Sequence, residues 1–418
     1  MRRRVTSRAT AGYATLAVML VHVVFAACTG EARPAFAVAD SAGVQIVHSS
    51  RPAWHDGAGW RVDSEPRLAV TLPASLANGA PVIDAALLDN GGVAVATADG
   101  SLHLFDAAGE YTRTTARSTI ATAGSGAARL YRLDDRLVMA QRGSEPSLVF
   151  DLDGTFRRAV GSERAAAKQL VSLLFVLTDS TVIAIQPPTG LLPRREPWTE
   201  PARFLFFKPA GDTAAVILPG ARLRAGGVGV EAIGFGPVVS FAVRGLHLFA
   251  GFPASFDIGV WNADGDLVRR IRREWTPRRV DRADVDRARA QLVARIEAQT
   301  DLPEVVEEQR AIIARLPFAD TLPAFGRMIA DHVGNVWVER VPPVPLLPLT
   351  LHPTRADPTP WDLFGPDGEW LGMVDMPANL FITDIGDNAI AGIAAAGRVR
   401  VHPLIHDGST ARRSGDSS

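Results

Sequence analysis

An aromatic residue followed four positions later by a glycine, at the end of an apolar run and in a turn-rich setting, returns five times along the sequence. The five copies begin at Phe105, Phe150, Phe207, Trp261 and Phe364. Each copy follows a short apolar run and precedes another extended stretch, which is the pattern of a β-hairpin with a tight turn. Because a hairpin that recurs along a chain is typical of propellers and other arrays, this pattern constrains the architecture more than any other feature.

A second set of turns lies between these copies, and each of its turns leads into an apolar strand. The six turns are Gly91-Gly92, Asp135-Arg136, Asp179-Ser180, Arg244-Gly245, Gly334-Asn335 and Asp387-Asn388. The strands lack strict polar alternation, as expected for sheets that are buried on both faces. Two alternating sets of turns predict six four-stranded units, and therefore an all-β fold, a six-bladed β-propeller. A β-sandwich, or two smaller β domains, is the alternative, but it predicts no constant relation between the two sets.

The last of the six units has only three recognisable strands. Since a ring of sheets must close or leave an exposed edge, we expect the missing strand to come from the N-terminal side of the chain. Two segments qualify, residues 43–47 and residues 67–72. We favour the second segment because it adjoins the first blade.

The N-terminus has the features of an export signal. Arginines precede an apolar stretch, residues 14–27, which is short for a membrane span and ends in small residues before Cys28, the single cysteine. This junction resembles a bacterial lipobox, so we expect residues 1–27 to be a lipoprotein signal peptide and Cys28 to be lipidated. A cleaved secreted protein and an uncleaved anchor are the alternatives. Thr29, rather than an aspartate, follows Cys28, which resembles sorting to the outer membrane.

The rest of the chain divides simply. Residues 28–42 are predicted to be a tether, residues 43–408 the propeller, and residues 409–418 a small, polar, disordered tail.

The long insertions all fall on one side of the predicted disc. In a four-stranded blade, the turns between strands one and two and between strands three and four share one face, and the other connections lie on the opposite face. The repeated turns are of the first kind, whereas the long segments are of the second kind. These segments are residues 186–201, 251–256 and 341–353, and a helical insertion between blades four and five, about 280–316. Since long loops carry function more often than tight turns, we predict that this long-loop face is the working face.

Two apolar stripes indicate helices in the largest insertion. One stripe comprises Val285, Leu292, Val293 and Ile296, and the other comprises Val305, Val306, Ile312, Ile313 and Leu316. We expect these helices to pack on the rim of the propeller. An exposed helix that binds a partner is the alternative.

Two groups of side chains are candidates for a site. The first group is polar and lies on the first strands, which line the channel of a propeller. It comprises Asp84, Arg129, Tyr131, Ser240, Arg327 and Asp384. These residues fit a site for a polar ligand or a cation, and equally a structural plug that satisfies strand ends. The second group has the composition of a recognition surface on the long loops. It comprises Arg194, Arg195, Trp198, Phe252, Phe256 and Trp361.

Composition and motifs exclude several classes of protein. The 418 residues carry a formal net charge of −1, so no overall field attracts nucleic acid. The sequence has no glycine-rich phosphate loop, no HExxH motif and no GxSxG nucleophile elbow. We therefore expect no cofactor and no nucleic-acid partner, and we assign no catalytic or metal-binding residue.

Several stretches carry a resemblance to a known group. They are residues 40–47, 316–325, 334–338, 361–377 and 382–392. Over nearly the whole mature chain the sequence resembles bacterial six-bladed β-propeller lipoproteins with NHL-like or TolB-like blades, which are abundant in environmental bacteria such as Gemmatimonadota. The resemblance implies the fold and a location in the cell envelope, without implying a reaction.

These observations favour a lipid-anchored envelope protein that binds a protein, peptide or glycan, or acts as a scaffold, on its long-loop face. The alternative is a metal-dependent propeller hydrolase or lactonase with a site in the channel, and a purely structural protein is a third possibility. A hard cation needs several oxygen ligands, and only Asp84 and Asp384 are obvious carboxylates near the predicted axis. The sequence therefore favours binding over catalysis.

Overall fold

A computed structural model describes residues 35–406, apart from 55–58, 78, 116–126, 142–145, 162–173, 178–180, 187–197, 208–212, 226–233, 238, 299 and 341–355. The predicted signal peptide, Cys28 and the predicted tail at 409–418 therefore lie outside the described residues. So do most of the insertion at 186–201 and all of the insertion at 341–353.

Four short strands precede the first complete sheet. They are β1 (Phe36–Ser41), β2 (Val44–Ser49), β3 (Trp60–Val62) and β4 (Leu68–Val70), and a single helical turn, α1 (Ala74–Ala77), follows them.

The six blades then follow in chain order. Blade 1 comprises β5 (Val82–Leu87), β6 (Val93–Thr97), β7 (Leu102–Phe105) and β8 (Tyr111–Thr115). Blade 2 comprises β9 (Ala127–Leu133), β10 (Arg136–Gln141), β11 (Ser147–Asp151) and β12 (Phe156–Val160). Blade 3 comprises β13 (Leu174–Val176), β14 (Val182–Gln186), β15 (Trp198–Phe207) and β16 (Thr213–Ala225). Blade 4 comprises β17 (Ser240–Arg244), β18 (His247–Gly251), β19 (Asp257–Trp261) and β20 (Leu267–Arg273).

Two helices separate blade 4 from blade 5. They are α2 (Arg282–Glu297) and α3 (Pro303–Arg315). Blade 5 comprises β21 (Met328–Ala330), β22 (Val336–Glu339), β23 (Thr359–Phe364) and β24 (Trp370–Met376). Blade 6 comprises β25 (Phe381–Ile385), β26 (Ala389–Ile393) and β27 (Val399–His406), with a 3-10 turn, Ala395–Gly397, before β27.

The blades form a closed ring. Within each blade the strands pair antiparallel in chain order. Between blades, β5 contacts β9, β10 contacts β13, β16 contacts β18, β17 contacts β21, β21 contacts β25, and β25 contacts β5. The predicted all-β, six-bladed propeller with a helical insertion between blades 4 and 5 is therefore confirmed.

N-terminal strands complete the last blade. In β4, Leu68–Val70 pairs antiparallel with residues 399–401 of β27, and β3 pairs with residues 404–406 of the same strand. Of the two segments predicted to close the ring, residues 67–72 supply the closing strand. The other segment lies in β2, which pairs in parallel with β20 at the outer edge of blade 4.

Part of the predicted tether is folded. Residues 36–41, predicted as tether, form β1 and pair with β2. The chain then continues along blade 5, where the amides of Ala53 and Trp54 donate to carbonyls of β24. From there it reaches β27 in blade 6. Residues 36–70, which we call the N-terminal strap, thus cover outer edges of blades 4 and 5 and complete blade 6. Covering these edges satisfies backbone groups that would otherwise be open to pairing with another chain.

The repeated aromatic residues fill the spaces between blades. Phe105, Phe150, Phe207, Trp261 and Phe364 are all at most 6% exposed, and each lies in an apolar cluster shared with the preceding blade. The glycine of the repeat also faces that blade, because a Cβ at Gly109 would lie 2.8 Å from Leu68 and one at Gly154 would lie 2.5 Å from Leu104. Both glycines have a positive φ, 84° and 79°. The repeat therefore combines a tight turn with inter-blade packing.

Blade 6 lacks this aromatic residue, and tryptophans fill its junction with blade 5. Trp337 and Trp361 are buried there, at 0% and 1% exposure. Trp54 and Trp60 of the N-terminal strap pack against the same cluster, and the ring of Trp60 stacks on His406 with centroids 4.1 Å apart. The strap thus supplies packing as well as the closing strand.

The two helices pack on each other. Asp281 caps α2 through a reciprocal capping box with Asp284, and Pro303 begins α3. Leu292, Ile296, Ile313 and Leu316 are buried in one cluster with Phe318. This cluster meets the propeller at Phe318, whose ring centre lies 5.4 Å from that of Phe235 between blades 3 and 4. We call α2 and α3 the helical arm. None of the described helices is long and apolar enough to cross a bilayer.

The seam that closes the ring contains a buried histidine. His402 lies on β27 between the stretches that pair with β4 and β3, it is 2% exposed, and its Nδ1 lies 2.9 Å from the Asp63 carbonyl oxygen. Its Nε2 is buried and has no hydrogen-bond partner among the residues that the structure describes. Burial lowers the pKa of His402 below its ordinary value of 6.5.

We therefore expect acid to weaken the seam. The unfolded chain binds a proton at His402 near its ordinary pKa, whereas the folded protein holds the ring neutral. The stability from this group is thus present above about pH 6.5 and is lost as the pH falls towards the lower folded pKa. Between about pH 7 and pH 5, the free energy of unfolding measured in urea should fall less steeply for His402→Gln than for the wild type.

His406→Gln, at the exposed end of the same strand, is the matched control for the loss of an imidazole. Burial raises the pKa of Asp84 to about 6, which acts in the opposite direction, so only the difference between the two slopes isolates His402. Equal slopes for His402→Gln and the wild type would contradict the expectation.

Candidate functional site in the propeller channel

Polar side chains at the channel reach from one blade to the backbone of the next. Asp84 on β5 accepts hydrogen bonds from the amides of Leu130 in blade 2, at 2.9 Å, and of Ala85, at 3.1 Å. Asp384 on β25 accepts from the amides of Leu87 in blade 1, at 2.8 Å, and of Ile385, at 3.0 Å. The two carboxylates thus link blade 1 to blade 2 and blade 6 to blade 1. We call such a contact an inter-blade clasp.

Two further channel candidates form clasps at other junctions. The Tyr131 hydroxyl accepts from the Val176 amide at 2.7 Å and donates to the Val176 carbonyl at 3.1 Å, which joins blades 2 and 3. Burial raises the pKa of Tyr131 well above its ordinary value, so the hydroxyl stays protonated. Arg327, directly before β21, donates to the Ile382 carbonyl at 3.1 Å and joins blades 5 and 6. Ser240 is buried at the start of β17.

Arg244, which the sequence places in a turn, reaches across the channel. Arg244, at the end of β17, donates to the carbonyls of Arg132 in blade 2, at 3.1 Å, and of His332 in blade 5, at 3.2 Å. Burial lowers the pKa of Arg244, and Asp384 partly opposes this effect. No motif marks Arg244, because its role depends on carbonyl groups from two distant segments.

His332 completes this end of the channel. Its Nε2 lies 3.1 Å from Asp384 Oδ2 and 3.2 Å from Oδ1. Burial alone would raise the pKa of Asp384, but hydrogen bonds from His332 and the Leu87 amide hold it below its ordinary value. Arg244, His332 and Asp384 all lie near the tight turns between first and second strands. The channel is therefore occupied by bonded polar groups at its short-turn end.

At the long-loop end of the channel, arginine side chains lie beside acidic side chains. The Nε of Arg129, near the start of β9, lies 3.3 Å from Asp84 Oδ2, and the side chain of Arg129 is 43% exposed. The pKa of Asp84 is raised to about 6 because burial outweighs the attraction of Arg129. The Nε of Arg327 lies 3.6 Å from Glu339 Oε2, and its guanidinium lies 3.9 Å from the centre of the Phe381 ring. Two arginines, each beside an acid, thus line this end.

Two of the six predicted loop residues, Trp361 and Phe256, are buried. Trp361 is 1% exposed within the junction of blades 5 and 6, and Phe256 is 4% exposed, packed on Phe325 and beneath the guanidinium of Arg273. Both rings are therefore unable to contact a partner, and their assignment to a ligand surface is wrong. Their sequence positions gave no sign of burial because the covering residues come from neighbouring blades.

The remaining predicted loop residues are Phe252, Trp198, Arg194 and Arg195. Phe252 is partly buried and lines a cavity of about 70 Å³ with Asp257, Trp261 and Arg270. Trp198 is the first residue of β15, and Arg194 and Arg195 lie outside the described residues. Among the described side chains, no three of His, Cys, Asp or Glu lie close enough to hold a metal ion.

Three connections on the long-loop face join at the base of the helical arm. Gly234, between blades 3 and 4, donates to the Pro317 carbonyl at 2.7 Å and accepts from the Ala319 amide at 2.9 Å. Ala324 donates to the carbonyl of Pro253, which lies in the loop between β18 and β19, at 2.7 Å. These bonds hold the arm at a defined position on this face.

No family model and no curated protein matches the chain. Among solved structures, the chain is similar to a member of the DUF4221 family from Bacteroides vulgatus, with 11% identity, a TM-score of 0.45, and coverage of 83% of this chain and 98% of that chain. It is also similar to a gluconolactonase from Xanthomonas campestris, with 16% identity, a TM-score of 0.39, and coverage of 84% and 99%. A third similar structure is the β-propeller domain of Cps50 (Swd1) from Myceliophteria thermophila, with 10% identity, a TM-score of 0.36, and coverage of 82% and 100%. Similarities of this size carry no argument about function, and the fold rests on the six sheets described above.

The clasp at Tyr131 has a matched control on the surface. Tyr131→Phe removes the hydroxyl and leaves the Val176 amide and carbonyl buried without that partner, which we expect to cost about 1–3 kcal/mol of unfolding free energy. Tyr111→Phe removes a hydroxyl bonded to Thr114 from a side chain that is 45% exposed, so we expect a change within about 0.5 kcal/mol. Urea denaturation measures both. Equal losses would show that the Tyr131 hydroxyl is not a clasp.

Proposed function

We propose that this protein is a lipid-anchored protein of the cell envelope whose propeller binds a protein, peptide or glycan on its long-loop face. The observation that carries the proposal is the difference between the two faces. The tight turns of the short-turn face end at a channel occupied by Arg244, His332 and Asp384. The long-loop face carries the helical arm and the end of the channel where Arg129 is half exposed.

The helical arm supports a role in recognition. Leu292, Ile296 and Ile313 are buried between its own two helices, so their burial does not require the outer surface of the arm. That surface exposes two large apolar side chains, Leu302 at 63% and Ile312 at 46%. Apolar side chains exposed on a firmly held element suit contact with a partner.

The described carboxylates do not favour the alternative of a metal-dependent hydrolase. Both oxygens of Asp84 and both oxygens of Asp384 accept hydrogen bonds from backbone amides, and His332 also contacts Asp384. A hard cation needs free lone pairs from several oxygen ligands. Binding is therefore the function that these side chains support best.

The proposed working face can be tested by photo-crosslinking in cells. A photoreactive amino acid in place of Leu302, on the arm, should form adducts with a partner, because this position lies on the long-loop face. The same amino acid in place of Leu246 is the matched control, since Leu246 is 56% exposed at the turn between β17 and β18 on the short-turn face. Adducts from position 246 and none from position 302 would overturn the assignment of the face.

The proposed anchor has its own test. Cys28→Ser removes the thiol that lipidation needs, so we expect loss of lipid labelling and release of the protein from the membrane fraction. Thr29→Ser, one residue further on, should be labelled and fractionate as the wild type does. A Cys28→Ser protein that remains labelled, normally processed and membrane-bound would contradict the anchor.

A further inference from the structure

One side of α3 is open to solvent. Ile313 is buried in the cluster between the two helices, whereas Ile312, the residue before it, is 46% exposed. Val305, Glu308 and Arg315 lie seven and four residues before Ile312 and three residues after it, so all four side chains share one side of the helix. Glu308 and Arg315 are exposed, and Val305 is half-buried. We call these four residues the outer face of α3.

The charged residues of α3 are ordered along the helix. Its acids all precede its two arginines, Arg310 and Arg315. Arg310 is used within the arm, where it pairs with Glu307 and with an acid of α2. By contrast, Glu308 and Arg315 have no ion pair with any residue that the structure describes. The outer face thus carries an unpaired acid one turn before Ile312 and an unpaired base one turn after it.

This order of charges is complementary to its own reverse. When two copies of a helix lie antiparallel and cross near Ile312, the residues before the crossing on one copy meet those after it on the other. Glu308 lies about 6 Å before Ile312 along the helix axis, and Arg315 lies about 4.5 Å after it. Glu308 of each copy therefore lies opposite Arg315 of the other, and a two-fold axis forms both pairs at once. The two Ile312 side chains meet at the centre.

Charge and position favour a second copy over a membrane as the occupant of this face. Anionic lipid attracts helices whose polar side is rich in Lys and Arg, whereas the charges of Glu308 and Arg315 cancel. The separation of acid and base along the helix suits an antiparallel partner of the opposite order, which the same sequence supplies. Backbone bonds at Pro317 and Ala319 hold the end of α3, so the outer face has a defined position.

We propose that two copies of this protein associate through the outer faces of α3, antiparallel about a two-fold axis near Ile312. The inference goes beyond the proposed binding function, because it assigns self-association to the helical arm. One helix from each copy makes an interface at the small end of the usual range, so we expect association in the micromolar range. Leu302 precedes Ile312 by about 15 Å along the helix and lies outside this contact.

Charge reversal tests the pairing. In sedimentation equilibrium over micromolar concentrations, in density-matched detergent, the mass of the purified mature protein should rise from one copy towards two. Arg315→Glu and Glu308→Arg each place like charges opposite each other in both pairs, so each should weaken association by about tenfold or more. The double variant, Glu308→Arg with Arg315→Glu, restores both pairs in reverse and should associate as the wild type does.

Arg282→Glu is the matched control, since Arg282 lies on α2, outside the outer face, with its side chain 95% exposed. It should associate as the wild type does. The helical circular dichroism of every variant should match that of the wild type, because the substituted side chains are exposed, so a loss of association does not reflect unfolding.

The proposal fails on any one of three results. The first is a single copy at every concentration, which would leave the outer face to a different partner. The second is unchanged association in both single reversals, and the third is a double variant that does not associate. The crosslinking test is independent, because position 302 lies outside the proposed contact and reports the partner of the long-loop face. Failure of one is thus distinguishable from failure of the other.

Discussion

The pairing of β27 with β4 and β3 is the contact on which the rest of the structure depends. Blade 6 has three strands of its own, and without a fourth its outer edge would expose unpaired backbone groups. The closing strands come from the other end of the chain, so backbone hydrogen bonds within blade 6 join the two ends of the propeller. The N-terminal strap reaches this position along blades 4 and 5, and its tryptophans fill the one junction that lacks the repeated aromatic residue.

Clasps at the channel explain why polar residues occur on the first strands. Asp84, Tyr131, Arg327 and Asp384 each bond to the backbone of an adjacent blade. Apolar packing holds blades together without specifying their register, whereas a buried hydrogen bond between two blades has one favourable geometry. Polar residues at these positions are therefore part of the frame in this protein. Arg129 differs, because it contacts the carboxylate of Asp84 in blade 1, at 3.3 Å, rather than a backbone group.

The two faces of the disc differ for a topological reason. The tight turns lie on one face, whereas the connections between blades and the loops between second and third strands lie on the other face and carry the insertions. The helical arm is one of these insertions, and the bonds among Gly234, Pro253 and Pro317–Ala324 fix its base. The same face contains the half-exposed Arg129, so the two features of the proposed function share one side of the ring.

The sequence by itself determined the architecture. The aromatic and glycine of each repeat, for example Phe150 and Gly154, act through local turn geometry and burial, and both are visible in a single stretch of chain. The same local signals predicted the six blades, the helical insertion and the closing segment at 67–72. They also identified Asp84, Arg129, Tyr131, Arg327 and Asp384 as channel residues, without distinguishing which are structural.

Only the tertiary structure decided the roles of individual side chains. Trp361 and Phe256 looked like loop residues, but strands from neighbouring blades bury them. Arg244 looked like a turn residue, yet it spans the channel because Arg132 and His332, 112 and 88 residues away, meet it there. Burial and hydrogen bonding depend on what lies across the ring, and a sequence records only what lies next along the chain. That is the physical reason why the fold was predictable and the bonding of each channel side chain was not.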